Sequence, residues 1–239
     1  MPSLISEWPF SVLTPKHPAF WYRGGIKKGP DSVSQLQLLD TLDGGPIWEA
    51  RYSTIPVYCR NRVLAAQAVQ GLASTLGLFR VFRYPWVRAP VTIGAANSGG
   101  GESGVPFSDQ STFSDGAHFA GVYVIASSTA SGSLYDSVVQ LTADSSEVQA
   151  GMEFSVYDED AGWRMHRIIR VLESETTAEG MTLSAEISPP LRFDIASGAE
   201  LDFANPSCTM RMTNWETFLQ MLEWNRWADL TAEFEEARW

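Results

Sequence analysis

FAGVYVIAS (119–127), SVVQLTAD (137–144), EFSVYD (153–158), WRMHRIIRVLE (163–173) and MTLSAEI (181–187) are short runs rich in β-branched and aromatic residues. Turn-forming residues separate them, and this pattern predicts a small β-barrel or sandwich. In the fourth run Arg164, His166, Ile168 and Arg170 fall on one side of a strand. Met165, Arg167, Ile169 and Val171 fall on the other. AEGM, 178–181, is the turn into the fifth run, and SPPLRFDIASGAELDF, 188–203, reads as an ordered loop followed by a short strand.

Before these strands lies GAANSGGGESGVPFSDQSTFSDGA, 94–117. It is rich in Gly and Ser and has no periodicity, so it reads as a linker or long surface loop. Earlier still, QLQLLDT (35–41), LDGG (42–45) and PIWEARYSTIPV (46–57) read as a β-hairpin ended by Pro56. Residues 60–76 read as a helix with Val63, Ala66, Val69 and Ala73 on its apolar face and Gly77 as its stop. LFRVFRY, 78–84, returns to an extended pattern closed by Pro85 and Pro90. After the β-rich middle, CTMRMT (208–213) is strand-like. NWETFLQMLEW (214–224) suggests a short helix with Asn214 as N-cap. ADLTAEFEEA (228–237) alternates like a strand and is expected to pair with the first segment's sheet, since alone its backbone groups would go unpaired.

The fold class expected is mainly β with one or two helices. A split β-sandwich unit, 1–93 plus 208–239, would carry an inserted small β-barrel or sandwich, 118–207, entered through the 94–117 loop. Charge follows the same division. Residues 1–93 hold ten Lys and Arg against five Asp and Glu, whereas residues 94–208 hold four against seventeen. The whole chain is at −11, which argues against a surface that grips nucleic acid. No apolar run approaches the ~20 residues of a membrane-spanning helix, and MPSLISEWPF has neither the basic nor the apolar part of a signal peptide.

Catalytic signatures are missing from the sequence. There is no G-x-S-x-G, no H-E-x-x-H and no phosphate loop. No catalytic, cofactor or metal residue is therefore assigned, and an enzyme is not expected. Cys59 and Cys208 are expected to be buried free thiols. His166 is expected at a surface or edge, and His17 and His118 have no adjacent catalytic partner. Asp158-Glu159-Asp160 reads as a solvated turn rather than a Ca²⁺ loop. Glu235 and Glu236, neighbours on a strand, should point to opposite faces. Of the nine tryptophans, Trp8, Trp21, Trp86, Trp163 and Trp239 lie near turns or ends, where exposure is possible in principle. A sugar could stack on Trp163 or Tyr157, which makes a carbohydrate-binding module contacting a host surface the alternative function. Trp48, Tyr52, Phe79, Phe82 and Phe234 are expected in a sheet core. Fourteen of the seventeen basic residues are Arg, the cation favoured at packed interfaces.

Several stretches taken in order resemble the distal tail proteins of long non-contractile phage tails and gene transfer particles. They are GGPIWEARYSTIPV (44–57), RVLAAQAVQGLASTLGLFRVFRYPW (62–86), RMHRIIRVLES (164–174), EGMTLSAEISPPLRFDIASGAELDFANPSCTMRM (179–212) and WADLTAEFEEA (227–237). The PPLR segment followed by F-x-x-P-x-C-x-M-R is the most distinctive part. The resemblance implies a virion structural protein at the tail tip, assembled in the host cytoplasm. It would form a homo-oligomeric ring, a hexamer, joining the tail tube protein to hub or baseplate proteins. DNA would pass through without specific binding, aided by acidic residues facing the lumen. It implies no cofactor and no catalytic residue.

Overall fold

The computed structural model describes residues 5–24, 26–31, 37–41, 45–75, 77–83, 104–105, 119–120, 124–143, 148–177, 180–220 and 228–237. In chain order the early strands are β1 (Ile5–Glu7), β2 (His17–Arg23), β3 (Ile26–Asp31), β4 (Gln37–Thr41) and β5 (Ile47–Val57). Helix α1 (Arg60–Ser74) and β6 (Leu78–Phe82) follow, then β7 (Gly104–Val105) and β8 (Phe119–Ala120). The middle strands are β9 (Ile125–Ser128), β10 (Val138–Ala143), β11 (Glu153–Asp158), β12 (Gly162–Thr177), β13 (Gly180–Ser188) and β14 (Glu200–Asp202). The last two are β15 (Ser207–Met212) and β16 (Ala228–Glu236).

The protein is mainly β and contains a small closed barrel. One six-stranded sheet has the order β1-β6-β15-β16-β5-β2 and draws on both ends of the chain. Its β1–β6 pair is parallel and its other pairs are antiparallel. The barrel, β10-β13-β12-β11-β14-β9, closes through β9 on β10 and lies between β6 and β15 in sequence. The expected pairing of the terminal strand with the first segment is present, as β16 lies along β5.

The expected 35–57 hairpin is not formed. β4 pairs with β3, while β5 is bordered by β2 on one side and β16 on the other. With both edges of β5 occupied, β4 has no place beside it and folds back on the preceding strand instead. The turn residues 42–44 lie outside the described residues, as do Pro85, Trp86, Pro90, His118, Trp239, the 94–103 and 106–117 parts of the Gly/Ser stretch, and residues 178–179 of the turn before β13.

One irregularity explains why one face of β5 stays in the core from end to end. Trp48, Ala50 and Tyr52 point into the core, and so do Ile55 and Val57, although the parity has changed. The register against β16 shifts between Leu230 and Ala232, where Ser53 and Thr54 form a bulge and Thr54 adopts φ 54°. The extra residue returns the second half of the strand to the same face. Pro56 therefore does not end the strand, which continues to Val57. Similar shifts in β12 fall at Ile169 and Leu172, and both side chains are turned out to solvent.

Trp8 sits at the centre of the sheet's core. Its ring meets the edges of Tyr52, Phe79, Phe218 and Phe234 at centroid distances of 5.3–6.3 Å. Its Nε1–H donates to Leu13 O at 2.8 Å. Trp8 is thus buried, contrary to the exposure its position near the chain start suggested, because residues 8–13 fold in under the sheet. Trp21 is exposed and donates to Glu49 (2.7 Å). Trp48, Tyr52, Phe79 and Phe234 are core residues as expected. Phe82 is only half-buried, since it lies at the end of β6 with the Arg80 guanidinium 4.6 Å above its ring.

Helix α1 packs Ala66, Val69 and Ala73 against the sheet core, with Val63 half-buried beside them. Gly77 N–H donates to Leu72 O (3.0 Å) just past its end. Cys59, at the N-cap, is exposed rather than buried, because the cap position turns away from the packed face. Cys208, on the central strand β15, is buried as expected, and desolvation pushes its thiol up to about 12. Residues 215–219 form turns where a helix is expected, Gln220 is helical, and residues 221–224 lie outside the described residues. Asn214 does not act as an N-cap: its Oδ1 accepts from Glu233 N (2.9 Å) and its Nδ2 donates to Thr231 O (2.8 Å). The side chain thereby ties the turn to β16.

Candidate functional site

The densest polar chemistry lies where the barrel meets the sheet. β12 contributes Arg164, His166 and Arg167; the loop after β13 contributes Arg192; β16 contributes Glu236. Alternation along β16 sends Glu235 outward to Arg23 (2.9 Å) and Glu236 inward, as neighbours on a strand must do. Glu236 Oε2 accepts from Trp48 N (3.0 Å), and its Oε1 lies 3.2 Å from Arg192 Nε and 3.8 Å from Arg164 Nη1. Arg164 Nη1 donates to Ala237 O (2.5 Å), and Arg192 Nη2 donates to Pro46 O (2.5 Å). One buried carboxylate thus stands against two guanidiniums, and each guanidinium also donates to one carbonyl on the sheet side, while the buried Arg164 Nε has no hydrogen-bond partner among the described residues. A second carboxylate, Glu153, receives Arg167 (2.5 Å) from the barrel and Arg83 (3.1 Å) from the sheet. Trp48 Nε1–H donates to Met165 O (2.6 Å), and Tyr22 O–H donates to Ser188 O (2.8 Å). Burial raises the Tyr22 phenol well above its usual range, so the hydroxyl keeps the proton it donates.

His166 is wholly buried, which corrects the expected edge position. The barrel curls β12 so that this residue packs against Phe154 and faces the loop after β13. Its Nδ1 is 2.8 Å from Pro189 O and must carry the proton to make that bond. Desolvation, reinforced by Arg192 and Arg164, lowers its pKa from 6.5 to about 4. Because the folded value is depressed, the unfolded chain takes up the proton first as pH falls. The group's contribution is therefore intact above 6.5 and is lost progressively down to about 4. Through His166 alone, about 2 kcal/mol of stability should be lost between pH 7 and pH 5. Urea unfolding at the two pH values measures the difference, and His166→Leu should remove most of it.

These groups fasten the barrel to the sheet. Among the described residues no group of three or more His, Cys, Asp or Glu is placed to hold a metal ion. The sequence signal for the junction was its arginine content, but nothing in the spacing of Arg164, Arg192 and Glu236 foretells that they meet.

The two residues considered for sugar contact are adjacent. Tyr157 and Trp163 face each other across the β11–β12 turn with ring centroids 5.2 Å apart. Tyr157 is 54% exposed, but Trp163 is half-buried and the Arg80 guanidinium lies 3.8 Å over its indole. Trp163 N–H also donates to Thr209 Oγ1 on β15 (2.9 Å). Trp163 therefore belongs to the junction, and Tyr157 alone offers an open ring face. Asp158-Glu159-Asp160 forms the tight turn between these strands, with Asp158 Oδ1 accepting from Asp160 N (2.9 Å) and Ala161 N (2.7 Å). Gly162 closes it at φ +70°; a Cβ there would stand 2.5 Å from Thr209 Oγ1, so the turn can press against β15 only with glycine. An open cavity of about 370 Å³ on the barrel is lined by Gln140, Glu173, Glu175 and Thr182 and offers no aromatic platform.

No helix among the described residues is long and apolar enough to cross a membrane. Comparison with protein-family models and with curated proteins finds no match to this chain.

Proposed function

We propose that the chain is a virion structural protein, the distal tail ring that joins a phage tail tube to the tip or baseplate. The observation that carries this reading is the outer face of α1. Leu64 is 51% exposed and Leu72 43% exposed, with the small residues Ala68 and Gly71 exposed between them. From Val63 to Phe79 there is no Asp, Glu, Lys or Arg. A helix that faces only water normally carries charge on its outer side, whereas the outer side of α1 after Arg62 has only the uncharged polar residues Gln67 and Ser74 exposed beside Leu64 and Leu72. The sheet also ends in two different strands, β1 and β2, so its edges can meet head to tail in a closed ring. The order of segments that resembles distal tail proteins supports the same reading, with a hexamer as the ring, tail tube and hub proteins as neighbours, and acidic surface lining the DNA passage.

Negative-stain electron microscopy of the purified chain tests this. Rings with a central hole are the expected result. Leu64→Glu combined with Leu72→Glu should abolish them while leaving the circular dichroism spectrum unchanged, because neither side chain belongs to the core.

A further inference from the structure

The turn between β9 and β10 holds an exposed aromatic residue in a conformation that such residues avoid. Tyr135 has φ +71°, although a bulky side chain rarely takes this region. It is 60% exposed, and its neighbour Leu134 is 45% exposed. Such backbone persists only where the surroundings dictate it, and here they do. Tyr135 N–H donates to Leu191 O (2.9 Å), and Leu191 N–H donates to Asp136 O (2.9 Å). Gly132 and Ile195 exchange both backbone bonds (3.0 and 2.8 Å). Ser133 N–H donates to Asp136 Oδ2 and Leu134 N–H to Asp194 Oδ1, both at 2.7 Å. A Cβ on Gly132 would lie 2.6 Å from Leu191 Cδ1, so the turn is pressed directly onto the buried side chains of Leu191 and Ile195. That segment is fixed in turn to the sheet through Arg192 and Glu236 (3.2 Å). The ring of Tyr135 is therefore presented on a rigid support.

Two carboxylates flank it. Asp136 and Asp194 each spend one oxygen on the turn, and the other oxygens, Asp136 Oδ1 and Asp194 Oδ2, accept no hydrogen bond from the described residues. We propose that this turn is a carbohydrate subsite, in which Tyr135 stacks on the C–H face of a pyranose and the free carboxylate oxygens accept its hydroxyl hydrogens. A single ring with one leucine beside it matches one sugar unit in size, whereas a stable protein interface needs about 800 Å² from each partner. The paired negative charges favour neutral or amino sugars and disfavour sialylated or phosphorylated ones. This subsite is separate from the Tyr157–Trp163 pair, and it does not depend on the ring reading.

The test is a titration of the full chain followed by NMR of the tyrosine ring signals. The probes are cellobiose, lactose, chitobiose and chitosan disaccharide, with 3′-sialyllactose as the anionic control. Saturable shifts at millimolar concentration are expected for at least one neutral or amino sugar, since one stacked unit binds weakly. Tyr135→Phe should keep binding, and Tyr135→Ala should weaken it about tenfold or more. Tyr135→Gly separates binding from folding. Glycine suits the backbone at φ +71°, so the thermal midpoint should hold or rise while binding is lost. The proposal is overturned if no neutral or amino sugar gives a saturable shift, as for a protein-binding turn. Binding confined to 3′-sialyllactose, or undiminished in Tyr135→Gly, would overturn it as well.

Discussion

Trp48→Ala should lower the unfolding free energy by about 3–5 kcal/mol, the range found for emptying a buried aromatic site. The indole is completely buried and packs on Phe20 (6.3 Å) and Tyr22 (4.2 Å). The Arg167 guanidinium lies 5.1 Å from its ring centroid. Its Nε1–H is also spent on Met165 O, a carbonyl of the barrel. Truncation therefore removes apolar contact, leaves a void and strands a buried acceptor together. Trp48→Phe should cost less, because it retains most of the packing and forfeits mainly the hydrogen bond, about 1–3 kcal/mol. Guanidinium unfolding followed by far-UV circular dichroism measures both. A loss for Trp48→Ala below about 1 kcal/mol, the size of a surface substitution, would contradict the packing described here.

Glu236→Ala is expected to have a comparable effect, about 3–5 kcal/mol, for an electrostatic reason. Glu236 is the carboxylate facing both Arg164 and Arg192, and Arg164 is fully buried. Without it two guanidiniums confront each other at a packed junction, and Trp48 N loses its acceptor. The adjacent residue supplies the control. Glu235 pairs with Arg23 at the surface, so Glu235→Ala should cost less than about 1 kcal/mol. If the two alanine variants unfold at the same denaturant concentration, Glu236 is not acting as a buried counterion. A double variant, Arg164→Met with Glu236→Leu, should recover part of the loss, since it removes the most deeply buried guanidinium together with the carboxylate and leaves only the less buried Arg192 without it.

Much of the fold was legible because it depends on local pattern. The β-rich middle, the helix beginning at Arg60, the strand that follows it and the return of the final strand to the first segment all follow from periodicity and turn residues. What was not legible depends on tertiary pairing. A hairpin between the segments ending at Thr41 and beginning at Ile47 satisfies every local rule, yet β5 is claimed on both edges by strands that are distant in sequence. The bulge at Thr54 cannot be read from alternation, because it exists to break alternation. His166 and Trp8 were misplaced for a related reason: burial of a residue near a turn depends on what the turn folds against. Tyr135 left no signal in the sequence, since only a backbone angle distinguishes it from an ordinary exposed tyrosine.

The proposed assembly into a ring is tested by native mass spectrometry of the purified chain over a range of concentrations. One closed species, a hexamer, is expected to persist on dilution and to collapse to monomer when Leu64 and Leu72 are both replaced by Glu. A monomer at every concentration, with the double variant indistinguishable from the parent, would contradict it.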